Sequence, residues 1–294
     1  MTTRRDFLQK ALGGLAAGVA ANSTEVFAAG RLAWPGPIGL QIYTVRKLYA
    51  KQPLQTLKEV AAAGYKDVEL AGFLPPHLAP DTLKDYLRES NLKAIGIHLP
   101  LPKTLDDWKK SVETAHADGV QYTGTSNTER LAADEWKRLG QLFNECGRLS
   151  AQHGIHFTYH NHIREFEKLG DTNGYKILLG ECDPKYVNME MDIFWITYSG
   201  QDPLYYFSHY PGRFPLLHIK DLKKGVTVNP DEFPGRGVNP FAPVGQGRID
   251  WRRVFEHTKQ AGTKYIFVEQ DRCDQSPLEA IKISYEYLRH LRLS

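Results

Sequence analysis

The sequence predicts a single (β/α)8 TIM barrel, and three observations carry that prediction. Short apolar runs of strand length alternate with amphipathic segments of helix length along most of the chain, as parallel βαβ units require. The stretch after Pro37 has about the length of one such barrel, roughly 250 residues. The last four strand-like runs, HFTYH, YVNMEMD, PLLHIKD and YIFVEQD, each carry a metal-ligand type of residue near the C-terminal end. In a parallel barrel those ends converge on one mouth.

The elements follow in order. Thr3-Arg4-Arg5-Asp6-Phe7-Leu8 sets an arginine pair ahead of a Gly- and Ala-rich stretch, Ala11 to Ala21, too short to span a bilayer. Val26-Phe27-Ala28 then offers small residues for cleavage after Ala28. This resembles a bacterial twin-arginine signal and implies a periplasmic protein exported through that pathway. The organisation expected is therefore a signal over 1–28, a linker over 29–37 and the barrel over 38–294. The first strand is Ile38 to Tyr43, followed by a helix from Leu54 to Ala63 that stops at Gly64. Asp67 to Leu70 precedes a helix from Asp81 to Ser90, and Lys93 to Leu99 precedes one from Thr104 to Asp118. Val120 to Gly124 leads to a long helix, Asp134 to His153, closed by Gly154. Glycines just past the apolar period are helix stop signals. Four more strands and a helix from Pro277 to Leu291 complete the chain. The long Pro- and Gly-containing stretch Lys223 to Arg248, after the seventh strand, reads as a lid or substrate loop at the mouth.

Composition excludes several classes. A formal net charge of +3 is too weak to argue for nucleic acid or a membrane surface. The three cysteines, Cys146, Cys182 and Cys273, form neither a disulfide framework nor a metal knuckle. Past the signal, no apolar run is long enough for a membrane anchor.

Strand periodicity decides which side chains reach the barrel axis. His156, Thr158 and His160 share a face in the fifth strand; Asn188, Glu190 and Asp192 do so in the sixth. His218 and Lys220 alternate with Leu217 and Ile219, and Phe267, Glu269 and Asp271 alternate with Ile266 and Val268. The expected metal ligands are His160, Asp192, His218 and Glu269, with His162 an alternative to His160. Two imidazoles and two carboxylates suit one divalent ion: Mn, Zn, Co, Fe or Mg. The same residues could instead form a buried salt-bridge network without metal. His98, His162, Lys220 and Trp195 are candidates for substrate contact. Lys220 could equally be a mouth charge paired with Asp221 or Glu269. Glu269, Glu165 and Lys220 are candidates for catalysis, and Glu190 and Asn188 for partners of the ligands deeper in the barrel.

The segments GLQIYTVR, GYKDVEL, YHNHIREFE, MDIFWI, LLHIKDLKKG and PVGQGRIDW together resemble the sugar phosphate isomerase/epimerase family, part of the xylose-isomerase-like TIM barrels. That group also holds ketose 3-epimerases, inosose dehydratases and endonuclease IV. The resemblance covers about Ile38 to Leu291. It implies Glu, Asp, His and Glu at the ends of strands five to eight, and Asp192, His218 and Glu269 match the last three. His160 stands where the first Glu is expected. The resemblance implies that both glutamates exchange substrate protons, so the second acid or base here would come from Glu165, His162, His98 or metal-bound water. The function it implies is a divalent-metal-dependent isomerase or epimerase acting on a sugar, keto-sugar or cyclitol through a metal-stabilised enediolate. A lyase or dehydratase, a 3-keto-glycoside-cleaving enzyme and a non-catalytic carbohydrate-binding barrel are the alternatives. Related barrels often form dimers or tetramers, which implies a homo-oligomer. The many extra His and Asp ligands of endonuclease IV are missing, which argues with the charge against DNA.

Overall fold

Eight parallel strands close into a barrel in simple sequence order. They are β1 (Gly39–Gln41), β2 (Asp67–Ala71), β3 (Lys93–His98), β4 (Tyr122–Ser126), β5 (His156–His160), β6 (Val187–Asp192), β7 (Leu216–Ile219) and β8 (Tyr265–Val268). In this computed structural model the described residues are 30–72, 78–127, 129–228, 233–234 and 237–294. The signal expected over 1–28 lies outside them. Arg31–Leu32, inside the stretch read as a linker, pair antiparallel with Arg292–Leu293.

The helices of the outer ring are α1 (Pro53–Ala62), α2 (Pro80–Ser90), α3 (Leu105–Asp118), α4 (Ala133–Gln152), α5 (Gly174–Glu181), α6 (Ile193–Tyr198), α7 (Pro203–His209), α8 (Trp251–Glu256) and α9 (Pro277–His290). Their boundaries follow local chemistry. The Thr104 side chain accepts from the Asp107 N–H to start α3, and Gly119 ends it at φ 78°, where a side chain is disfavoured. The outward faces of the strands meet these helices in one continuous core. Trp108 of α3 packs edge-on against Phe157 of β5, with ring centroids 5.0 Å apart. Burying such a ring contributes about 2–3 kcal/mol.

Several strand ends differ from the sequence expectation; β7 and β8 stop at Ile219 and Val268, short of the expected runs to Asp221 and Asp271. β1 stops at Gln41, because the Gln41 side chain accepts from the Tyr43 N–H and turns Ile42–Val45 into a 3-10 helix. β4 runs to Ser126, two residues beyond the expected end. The stretch 223–248 is tied down at its end: Phe241–Ala242 pair antiparallel with Asp221–Leu222.

The barrel interior changes character along its axis. Ile95, Tyr122, Leu216 and Phe267 form an apolar plug at the N-terminal end. Above it the interior is filled by ionisable groups. At the rim, Ile163, Phe194, Trp195, Tyr198, Leu222 and Phe241 form a second, largely aromatic cluster.

Candidate metal centre and active site

The ionisable interior has two tiers. The lower tier joins Glu69 of β2, His98 of β3, Glu190 of β6 and His218 of β7, all buried. His98 Nε2 meets Glu190 Oε2 directly. His218 Nε2 lies 2.7 Å from Glu69 Oε2, which also accepts from Gln41 Nε2 at 2.7 Å. The His98 and His218 rings stack with centroids 5.4 Å apart. The close approach needs a glycine: a Cβ on Gly124 would sit 2.5 Å from His98 Cδ2.

The upper tier holds His160, Asp192, Glu269, Lys220 and Asp271. His160 and Asp192 are the last residues of β5 and β6; Lys220 and Glu269 lie one residue past β7 and β8. Asp192 does double duty, since its Oδ1 accepts from the Trp195 N–H and caps α6. His160, Asp192, His218 and Glu269 each offer a ligand atom, and those atoms lie within 4.8 Å of one another. A second set, His98, His160, Glu190 and His218, meets the same distance.

Geometry separates the two sets. Each shared imidazole spans the tiers. His218 presents Nδ1 to Glu269 at 2.9 Å and Nε2 to Glu69 below. His160 faces Asp192 Oδ2 with Nε2 at 3.8 Å and Glu190 with Nδ1 at 3.6 Å. For His218 this is the arrangement in which one ring nitrogen faces a metal while a carboxylate holds the other; His160 Nδ1 faces Glu190 without a hydrogen bond. In the lower set one oxygen of each carboxylate is engaged, Glu190 Oε2 by His98 and Glu69 Oε2 by His218, while Glu69 Oε1 and Glu190 Oε1 hold no hydrogen bond. Asp192 Oδ2, buried in the upper tier, meets the Lys220 ammonium at 3.0 Å and His160 Nε2 at 3.8 Å. The donor set of the upper tier therefore fits a divalent ion, and the lower carboxylates orient its imidazoles.

Charges follow this division. Burial penalises any charge here. Even so, Lys220 and His218 hold the Glu269 carboxyl well below the usual range, and His218 and His98 do the same for Glu190. Burial outweighs Lys220 at Asp192, whose carboxyl is raised. Burial and the neighbouring imidazoles push His160 well below its ordinary value, and burial and Lys220 take His162 down to about 3. Both are neutral imidazoles at pH 7, the form that ligates metal. Lys220 stays charged, because Asp192, Asp271 and Glu269 outweigh its burial.

Lys220 Nζ lies 3.0 Å from Asp192 Oδ2, 2.7 Å from Glu269 Oε2 and 3.1 Å from Asp271 Oδ1. Its pairing partners therefore include Glu269 but not Asp221. The Asp221 carboxylate points the other way and accepts from the N–H groups of Leu222, Gly245, Gly247 and Ile249 and from Trp251 Nε1. It fastens the end of the 223–248 loop. A Cβ on Gly247 would fall 2.1 Å from Asp221 Oδ1.

Above the upper tier opens a cavity of about 560 Å³, lined by His98, His160, His162, Glu269, Trp195 and Asp271 together with Phe233 and Phe241 of the loop. The structure thus brings together His98, His160, His162, Asp192, Trp195, His218, Lys220 and Glu269. Glu165 stands apart and corrects the expectation that it faces substrate. It is fully buried, accepting from Tyr159 OH at 2.7 Å and from the His162 N–H at 3.0 Å. Tyr159 lies on the outward face of β5, so Glu165 braces the turn that carries His162. Burial raises its carboxyl to about 7, against the pull of those bonds. Sequence reasoning missed the Gln41–Glu69 brace and the pairing of Asp271 with Lys220. The alternation of FVEQD already sets Asp271 on the Glu269 face.

Comparison with known proteins agrees with this fold. A family model described as "Xylose isomerase-like TIM barrel" matches residues 57–291. An inosose dehydratase of Bacillus cereus (strain AH820) is 25% identical over 263 residues, covering 76% of this chain and 85% of that one. An inosose dehydratase of Lacticaseibacillus casei is 26% identical over 265 residues, covering 80% and 88%. The crystal structure of a sugar phosphate isomerase/epimerase from Parabacteroides distasonis superimposes with a TM-score of 0.73 at 24% identity, covering 88% of this chain and 95% of that one. The IolI protein, whose crystal structure holds a zinc atom, superimposes with a TM-score of 0.66 at 16% identity, covering 85% and 96%.

Proposed function

The chain belongs to the xylose isomerase-like TIM barrel family, and from that premise we propose that it is a divalent-metal-dependent enzyme acting on a sugar, keto-sugar or cyclitol by proton abstraction. The observation that carries this reading is the upper tier: His160, Asp192, His218 and Glu269 converge around one point beneath a cavity rimmed with aromatic rings. A zinc atom in IolI supports a metal in this scaffold.

Bound there, a divalent ion supplies Lewis-acid stabilisation of substrate oxygens and acidifies the adjacent C–H. The chain's own residues do the rest. Glu269, held ionised, removes the proton. Lys220, whose ammonium sits between Asp192 and Glu269, faces the negative charge that develops on oxygen. The Trp195 and Phe241 rings pack against the apolar face of the ring substrate, and His98 and His162 contact its hydroxyls. The second acid or base is His98, which lines the cavity and whose imidazole, against burial, is raised above its ordinary value by Glu69 and Glu190. Reprotonation at the neighbouring carbon gives isomerisation, and reprotonation of the same carbon on its opposite face gives epimerisation. Loss of a β-hydroxyl from the same carbanion gives dehydration. The inosose dehydratase relatives favour dehydration at least as much as isomerisation. The arginine pair and small-residue site before Ala29 support export to the periplasm through the twin-arginine pathway.

The test is incubation of the metal-loaded protein with ketohexoses and inososes in deuterated water, read by NMR and mass. Deuterium at carbon without mass loss identifies an isomerase or epimerase, and loss of water identifies a dehydratase. Full turnover by Glu269→Gln with metal still bound sinks the role given to Glu269. Saccharide binding with no deuterium entering any ligand would leave a non-catalytic carbohydrate-binding barrel.

A further inference from the structure

We propose that the mouth carries a second subsite for a hydroxyl-bearing group attached to the ring substrate, so that the natural substrate is a glycoside or disaccharide and not a free monosaccharide. The inference rests on the carbohydrate reading above. A cavity of about 470 Å³ lies beside the one over the metal centre, and Arg46, Asp271 and Arg272 line both. Each volume is within the range of a small-molecule site. The far cavity is formed by the turn after β1, through Thr44 and Lys47, by the turn after β8, through Asp274 and Gln275, and by Asn239 of the 223–248 loop. One molecule reaching from the Glu269 carboxylate past Asp271 enters it.

The chemistry of the walls selects the occupant. Arg46, Lys47 and Arg272 stand against Asp271 and Asp274, so the lining mixes both signs. The two shared guanidiniums are directed onto backbone carbonyls. Arg46 donates to Tyr43 O at 2.7 Å and Asp271 O at 2.8 Å, and Arg272 donates to Val238 O at 2.6 Å. Asn239 donates to Asp274 Oδ1 at 2.8 Å. A phosphate site would converge its cations on one point. This lining instead alternates donors with acceptors, which suits a neutral group bearing several hydroxyls. The Arg46 guanidinium lies over the Tyr43 ring, 4.0 Å from its centroid, and lines both halves.

Titration calorimetry of the purified protein with glucose and myo-inositol, against trehalose, cellobiose, sucrose and glucose 6-phosphate, tests this. At least one disaccharide should bind tenfold or more tighter than either monocyclic probe. Gln275→Trp, which fills the far cavity, should remove that gain and leave the monocyclic affinities unchanged. Lys47→Trp, filling it from the other wall, repeats the test should the first variant fold poorly by circular dichroism. Equal affinities in the wild type, a gain that survives both fillings, or glucose 6-phosphate binding tightest would each overturn the subsite and leave the metal-centre reading standing. Binding of none of the probes would overturn the carbohydrate reading and the subsite with it.

Discussion

Glu165 offers the sharpest separation between a structural and a catalytic carboxyl. Its side chain is fully buried, and burial raises its pKa from 4.5 to about 7. One pKa unit corresponds to about 1.4 kcal/mol, so ionising Glu165 inside the fold costs about 3 kcal/mol. The folded protein holds this proton more tightly than the unfolded chain does. Its contribution to stability is therefore complete below pH 4.5, falls as the pH rises, and is lost once the pH passes about 7. Glu165→Gln keeps an oxygen for Tyr159 OH and the His162 N–H but cannot titrate. The neutral His162 imidazole, with its pKa near 3, has the opposite slope, stabilising above pH 6.5 and losing that as the pH falls. That slope is present in both proteins and cancels in the difference. Urea unfolding of wild type and variant from pH 4 to 8 should show the wild type losing about 3 kcal/mol relative to Glu165→Gln, with turnover of the variant preserved. A flat difference together with a hundredfold loss of turnover would refute the bracing role and return Glu165 to the chemistry.

Other perturbations probe the remaining parts. Lys220→Met leaves Asp192, Glu269 and Asp271 without their buried cation and should cost the metal-free protein about 3–5 kcal/mol. Added Zn or Mn should then raise its melting temperature more than that of the wild type, and an unchanged metal-free melt would count against the network. Asp221→Asn strips acceptors from the Gly245, Gly247 and Trp251 donors and should cost about 3 kcal/mol. Faster amide exchange over residues 245–251 is the readout, and unaltered exchange would mean that the loop is anchored elsewhere. Gly124→Ala places a methyl 2.5 Å from His98 Cδ2 and should cost about 1–3 kcal/mol by overpacking. A crystal structure with His98 still on Glu190 would show that the lower tier absorbs the methyl.

The barrel was legible because its cues are local. Period-two alternation marked the inward residues of β5 to β8, and glycines at 64, 119 and 154 marked helix ends. The gathering of His160, Asp192, His218 and Glu269 followed from barrel geometry, since equivalent ends of parallel strands share one mouth. Depth was harder to read. His98 and Glu69 are on β3 and β2, and their contacts with Glu190 and His218 depend on the stagger of strands far apart in sequence. The outward turn of Glu165 depends on the 3-10 turn Arg164–Phe166, which a loop in the sequence does not reveal. Asp221 looks like a partner for Lys220 by adjacency, yet consecutive residues on an extended chain point to opposite sides, and the loop amides claim it.

Metal analysis of the purified protein beside Asp192→Ala and His218→Ala decides whether the four strand ends build a metal centre. The wild type should hold about one divalent ion per chain, and both variants should lose it while remaining folded by circular dichroism. A wild type that holds no metal after reconstitution with Mn or Zn, or variants that keep it, would contradict the account and leave the upper tier as a buried ion-pair network.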